Sequence, residues 1–226
     1  MLDDCFRGYS GHRASPGAGY SGFAVKRGLR NDNPVAGIDA YELGTRHTWT
    51  DEQLAAYEAR WPLGTRERLA FATLLYSGQR GGDVVKLMRP DAKARFLTLT
   101  QEKTGTYLTI PIHPEWRNAI NAGPSKGLSL IGDNRGRPIK RPMLTLIIQV
   151  AARKAGLPPE CKAHGLRKAL LRGLAEAGKS SKQIAAMSGH KSLKEIERYT
   201  DKADQAKLAE AAMSNFRSIR HSRRNK

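Results

Sequence analysis

The sequence is poor in the features that mark several large protein classes. It holds two cysteines in 226 residues, Cys5 and Cys161, and they form neither a CxxC pair nor a disulfide framework. The longest apolar stretch, Met143 to Ala152, is broken by Thr145 and Gln149 and falls well short of the roughly 18 residues a membrane-spanning helix needs. The first residues, Met-Leu-Asp-Asp, carry no apolar segment of the secretory kind. Acidic residues are scarce, 21 Asp and Glu against 39 Lys and Arg, and none form a set at strand ends suited to a metal pair. A disulfide scaffold, a zinc ribbon, a membrane span and a metal-dependent nuclease or transposase are therefore disfavoured. No metal and no cofactor is expected, and the expected setting is reducing and cytoplasmic.

What is present in excess is positive charge. The formal net charge is +18, which favours a polyanionic partner, most simply nucleic acid. From Cys161 onward there are 16 Lys and Arg against 6 Asp and Glu, so the C-terminal third is the expected polyanion surface. With 39% hydrophobic residues the chain has enough apolar material for a core of ordinary size.

Residues 1 to about 30 scatter glycines among Ser, Tyr and Arg without a period of 2 or 3.6, and read as a flexible arm. Thr50-Asp-Glu-Gln53 is a capping box opening a helix that Pro62 must stop. Apolar spacing predicts a helix over about 66 to 77, then a short one over Val84 to Met88, with Gln79 and Arg80 at the junction. Two β-rich runs, Arg95 to Thr100 and Thr106 to Ile112, predict a hairpin with Lys103 in its turn. A further strand is expected near Leu128 to Ile131, and His113 before Pro114 reads as a strand end without a role. Helices follow over about 140 to 155, 164 to 177, 181 to 188, 192 to 199 and 202 to 216. Ser180-Ser-Lys-Gln183 and Ser192-Leu-Lys-Glu195 supply capping boxes. The expected fold is mainly α with a small antiparallel β-sheet, an α+β arrangement.

Gly173 to Ser180 matches the phosphate-loop pattern GxxxxGK[ST] letter for letter. That loop needs a strand before it and a bend whose amides face phosphate. Here the flanking residues are helix formers. Gly178 reads as a helix end and Ser180 as the cap of the next helix, so a nucleotide site is not expected.

A different set carries chemistry. His164-Gly-Leu-Arg167 places an imidazole and a guanidinium three residues apart, on one helix face. Gly189-His190 follows, then Tyr199, and upstream Arg80 sits in Ser77-Gly-Gln-Arg80 with Asp83 three residues on. In this order, with Lys103 in Gln-Glu-Lys-Thr-Gly between them, the set resembles that of the tyrosine recombinases, the phage-integrase family of DNA strand-exchange enzymes. The resemblance runs from about Thr50 to Phe216. It implies a recombinase catalytic-domain fold and cleavage and rejoining of DNA through a 3′-phosphotyrosyl intermediate. Tyr199 would be the nucleophile, Arg80 and Arg167 the phosphate clamp, and His164 a general base or phosphate donor. His190 would be a second donor, Lys103 the general acid, and Asp83 a supporting residue. The chemistry is consistent: a tyrosine hydroxyl, with a pKa near 10, needs neighbouring cations and a proton acceptor to attack a phosphodiester.

Family members place a helical core-binding domain before the catalytic one. Here residues 1–49 read as an arm with the remnant of such a domain and its linker, 50–216 as the catalytic domain and 217–226 as a basic tail. A shortened integrase is therefore expected to bind DNA weakly and cleave poorly alone. The resemblance also implies that the helix over 202 to 216 packs on a neighbouring protomer, giving a tetramer on DNA; the sequence equally allows it to fold back on its own domain. Two other readings stand beside it: a non-catalytic DNA-binding fragment, with 181–189 and 192–199 as a helix-turn-helix, and a type IB topoisomerase sharing the same chemistry.

Overall fold

The computed structural model describes residues 22–33, 47–92, 95–124, 126–192, 195–197 and 213. The chain divides into two compact units, Met1–Thr45 and Arg46–Lys226. In the first, residues 22–26 form a short helix. It closes with Gly28 N–H donating to the Val25 carbonyl and Leu29 N–H to the Ala24 carbonyl, the two bonds of a Schellman end. These residues were expected to be non-helical; a local helix end with a positive-φ glycine needs no apolar periodicity, so the sequence pattern did not show it.

The second unit begins with α1 (Asp51–Arg60), whose Thr50 and Gln53 form the expected reciprocal capping box. Helix α2 (Arg66–Ser77) has every residue from Leu69 to Leu75 buried. A helix covered all round is the centre of a core rather than a surface stripe. Phe71 of this helix packs with Trp49 and Tyr57 as an aromatic trio with centroids 4.5 to 5.9 Å apart. The buried Thr73 hydroxyl accepts from the Trp116 indole at 3.1 Å, giving that polar group a partner inside the core.

Gly78, in the left-handed region, ends α2 and turns the chain into α3 (Gly81–Val84), with Arg80 at the N-cap position. This short helix lies earlier than the expected Val84 to Met88. The Gly81-Gly82 pair lets the helix start directly after Arg80, and Met88 instead bridges to Ser129. A 3₁₀ turn (Pro90–Ala92) leads to β1 (Phe96–Thr100), paired antiparallel with β2 (Tyr107–Pro111) in a two-stranded sheet. Register places Leu97 opposite Ile110, both buried. The segment near Leu128 to Ile131 does not join this sheet. Leu130 N–H donates to the Leu87 carbonyl and Arg89 N–H to the Leu128 carbonyl, so it pairs locally with the chain after α3.

Helix α4 (Pro114–Ala122) was not anticipated. His113 is its N-cap, with the ring accepting from Glu115 N–H, and Pro114 sits at the first helical position, where a missing N–H costs nothing. Helices α5 (Arg141–Lys154), α6 (Ala163–Glu176) and α7 (Ser181–Ser188) lie within a residue or so of the expected spans. Residues 173–176 continue α6, Gly178 has φ +70°, and Ser180 caps α7 with Gln183 in a reciprocal box, so the phosphate-loop match is a helix end followed by a helix start. Residues 195–197 are helical, with Ile196 buried. Tyr199, most of the helix expected over 202 to 216 and the tail 217–226 lie outside the described residues, as does most of the arm.

Candidate active site

Three chain segments converge: the turn after α2, the first turns of α6 and the turn after α7. Arg167, on α6, is 3% exposed. One guanidinium nitrogen donates to the Gly78 carbonyl at 2.6 Å and the other to the Ser188 carbonyl at 3.1 Å. It thus bolts the ends of α2 and α7 together. The second nitrogen also lies 3.0 Å from Nε2 of His190 and 3.4 Å from Nδ1.

His190 is placed by Gly189, which ends α7 in the left-handed region at φ +68°. The Ser188 hydroxyl donates to the Ile184 carbonyl at 2.8 Å, leaving its oxygen to accept from His190 Nδ1 at 2.7 Å. This assigns the imidazole proton to Nδ1 and leaves Nε2 as the acceptor facing Arg167. Burial lowers the His190 pKa most, followed by the charges of Arg167, Arg80 and His164, to about 4. The Glu195 carboxylate, 3.5 Å from Nε2 but 65% exposed, is too solvated to reverse this. Without DNA the ring is neutral at pH 7.

His164 is exposed on the second residue of α6, with its charge reaching His190. The start of α6 is fixed from beneath. The Trp49 indole donates to the Lys162 carbonyl at 3.0 Å. A Cβ at Gly165 would lie 2.6 Å from Trp49 Cδ1 and 2.8 Å from the His47 carbonyl, so only glycine fits between His164 and Leu166. That glycine's role was not legible in the spacing of His164 and Arg167.

Arg80 is half-buried and donates to the side-chain oxygen of Gln101 at 3.1 Å. Among the described residues no carboxylate pairs with it. Asp83 is 4% exposed, and one of its carboxylate oxygens accepts from Glu102 N–H at 2.9 Å. It therefore ties α3 to the hairpin turn, a more specific task than the general support expected of it. Lys103 is exposed in that turn, two residues past Gln101. Gln79 and Gln101, to which the sequence assigned no role, are 1% and 0% exposed and lie among the three convergent segments. Buried amides have no periodicity to betray them.

The arrangement brings Arg80, Arg167, His164 and His190 into one positively charged neighbourhood and sets Lys103 on an adjoining turn. The phage integrase family model matches residues 50–206. The chain belongs to that family. Tyrosine recombinase XerC of Rhodospirillum centenum is 27% identical over 176 residues, covering 74% of this chain and 50% of the relative. Tyrosine recombinase XerD of Xanthomonas campestris pv. campestris is 26% identical over 208 residues, covering 80% of this chain and 64% of the relative. The chain thus spans about half the length of the first and under two thirds of the second. Among solved structures, a lambda integrase dimer bound to a COC′ core site has a TM-score of 0.66 at 24% identity over 83% of this chain and 71% of that one. XerA recombinase has a TM-score of 0.62 at 17% identity, covering 85% and 71%. These two likenesses show the fold alone.

Proposed function

We propose that this chain is a site-specific DNA recombinase that cleaves and rejoins strands through a 3′-phosphotyrosyl intermediate. The supporting observation is that two arginines converge, Arg80 on the Gln101 amide oxygen and Arg167 on the Gly78 and Ser188 carbonyls, beside His190. Two such guanidiniums hold the non-bridging oxygens and stabilise charge that grows in the pentacoordinate transition state. The Tyr199 oxygen attacks phosphorus and His164 accepts its proton. The bond to the 5′ oxygen breaks, and Lys103 protonates that oxygen as it leaves. A 5′ hydroxyl from the exchanging strand then reverses these steps. One phosphodiester is traded for another, so the exchange needs no external energy source.

His190 starts neutral. A phosphodiester beside Arg167 adds negative charge that favours the imidazolium, turning the ring into a second phosphate donor. The partner is double-stranded DNA, consistent with the net +18 and with the DNA-bound lambda integrase neighbours, which include a dimer and a tetramer on a Holliday junction. Assembly of this chain into a tetramer on DNA, with the segment over 202 to 216 reaching a neighbour, belongs to the same reading, as do a cytoplasmic, nucleoid-associated setting and residues 50–216 as the catalytic domain. Among the described residues no helix is long and apolar enough to cross a membrane. The family match favours this over a bare helix-turn-helix fragment or a site-independent topoisomerase.

The test is covalent trapping. Nicked duplexes, selected from a randomised pool by retention on the protein, lose the short cleaved fragment by diffusion. Wild type is expected to give a slow-migrating covalent band on a denaturing gel. Tyr199→Phe should shift the same duplex on a native gel without that band. Binding by both proteins with no covalent band from either would overturn the proposal in favour of a DNA-binding fragment.

A further inference from the structure

We infer that Gln101 is a positioning residue that sets the Lys103 turn and Arg80 against the Arg167 and His190 pair; this rests on the recombinase reading above. Gln101 directly follows β1, with 0% exposure and all of its amide capacity in use. Its oxygen accepts from Arg80 at 3.1 Å and from the Thr104 hydroxyl at 2.7 Å. Its nitrogen donates to the Gln79 side-chain oxygen at 2.6 Å and to the Ser188 carbonyl at 2.9 Å. Arg80 has only donors, so the amide has one workable orientation.

Each of these partners belongs to a different part of the site. The Ser188 carbonyl also accepts from Arg167, so Gln101 and Arg167 meet on one oxygen directly before Gly189-His190. Gln79 adjoins Arg80, and its own amide nitrogen donates to the Ser77 and Met187 carbonyls, at the ends of α2 and α7. Thr104 adjoins Lys103. The turn between them is closed on the same residue, with Gly105 N–H donating to the Gln101 carbonyl at 2.8 Å and Gln101 N–H to the Thr106 carbonyl at 2.9 Å. A Cβ at Gly189 would lie 2.6 Å from the Gln101 amide, so the turn that places His190 is pressed against this side chain.

An exposed lysine on a two-stranded hairpin has few fixed contacts of its own. Gln101 links its turn to the arginines through side chains, by Thr104 on one side and by Arg80 and the Ser188 carbonyl on the other. Losing it leaves the proton donor and the phosphate clamp without a common reference, and a misplacement of about 1 Å costs on the order of 100-fold in rate.

The experiment compares single-turnover cleavage by the full chain on two nicked substrates, one with the ordinary 5′ oxygen at the scissile phosphate and one with 5′ sulfur. A thiolate leaves without needing a proton, because thiols ionise near neutral pH. Gln101→Ala is expected to lose about 100-fold on the oxygen substrate, and to recover most of that loss on the sulfur substrate. Lys103→Ala should show the same recovery. Thr104→Val, which removes only the hydroxyl bond on the hairpin side, should show a smaller loss with the same recovery, and it decides the matter if Gln101→Ala does not fold. Equal losses on the two substrates, or no loss in either variant, would overturn the assignment. Cleavage of neither substrate by wild type would instead refute the recombinase reading.

Discussion

Lowering the pH from 7 to 5 should destabilise the folded protein through His190, whose ring is buried against Arg167. The pKa falls from 6.5 to about 4, through burial first and then the charges of Arg167, Arg80 and His164. A histidine with a lowered native pKa binds fewer protons folded than unfolded across that window. Stability from this source is therefore complete above pH 6.5 and is lost as the pH falls toward 4. Between pH 7 and 5 a single such group removes about 2 kcal/mol. With a urea slope of about 2 kcal/mol per molar, the unfolding midpoint drops by about 1 M. The assay is urea unfolding of wild type and His190→Asn at both pH values. The asparagine does not titrate, so its midpoint should fall less than that of wild type by about this amount, whatever its absolute stability. Equal falls in the two proteins would refute the assigned burial and charge environment of His190.

Substitution of Gly165 by alanine should destabilise the protein by about 1 to 3 kcal/mol, because the new methyl would meet Trp49 and the His47 carbonyl; unchanged denaturant midpoints would show that the start of α6 is not fixed by this contact. Asp83→Ala should speed hydrogen exchange at the Glu102 amide, whose acceptor it removes, by weakening a buried charge-assisted bond worth about 1 to 3 kcal/mol. Asp83→Asn, which keeps an oxygen at that position, should do so less, and equal exchange in all three proteins would contradict the tie between α3 and the hairpin. Trp116→Phe loses the indole bond to Thr73 and should cost about 1 kcal/mol in urea unfolding; a neutral result would mean that Thr73 finds another partner.

Strong local chemistry was readable in the chain, and long-range pairing was not. The capping boxes at Thr50 and Ser180, the helix ends at Gly78 and Gly178 and the hairpin around Lys103 each follow from residues within a few positions of one another. Helix α4 was missed because His113 reads as a strand end, when a capping histidine followed by proline starts a helix. The four residues of α3 were misplaced because Arg80 caps it without a side-chain bond, leaving no signal. Leu130 and Ile131 are buried as a strand would be, yet Leu128 and Leu130 pair with the chain after α3, a choice made by tertiary packing. At the site, Arg80, Asp83, His164, Arg167 and His190 are singled out by the family resemblance of their ordered motifs. The neutral amides of Gln79 and Gln101 between them are not, since their value lies in four directed bonds that only the fold assembles.

The central claim is that DNA becomes joined to Tyr199 without help from a metal. Strand cleavage in the presence of excess EDTA, followed by proteolysis and mass spectrometry of the trapped adduct, tests it directly. The account predicts continued cleavage and a peptide containing Tyr199 that carries the 3′-phosphorylated end. An adduct on any other residue, or cleavage that stops with chelation and leaves no adduct, would contradict it.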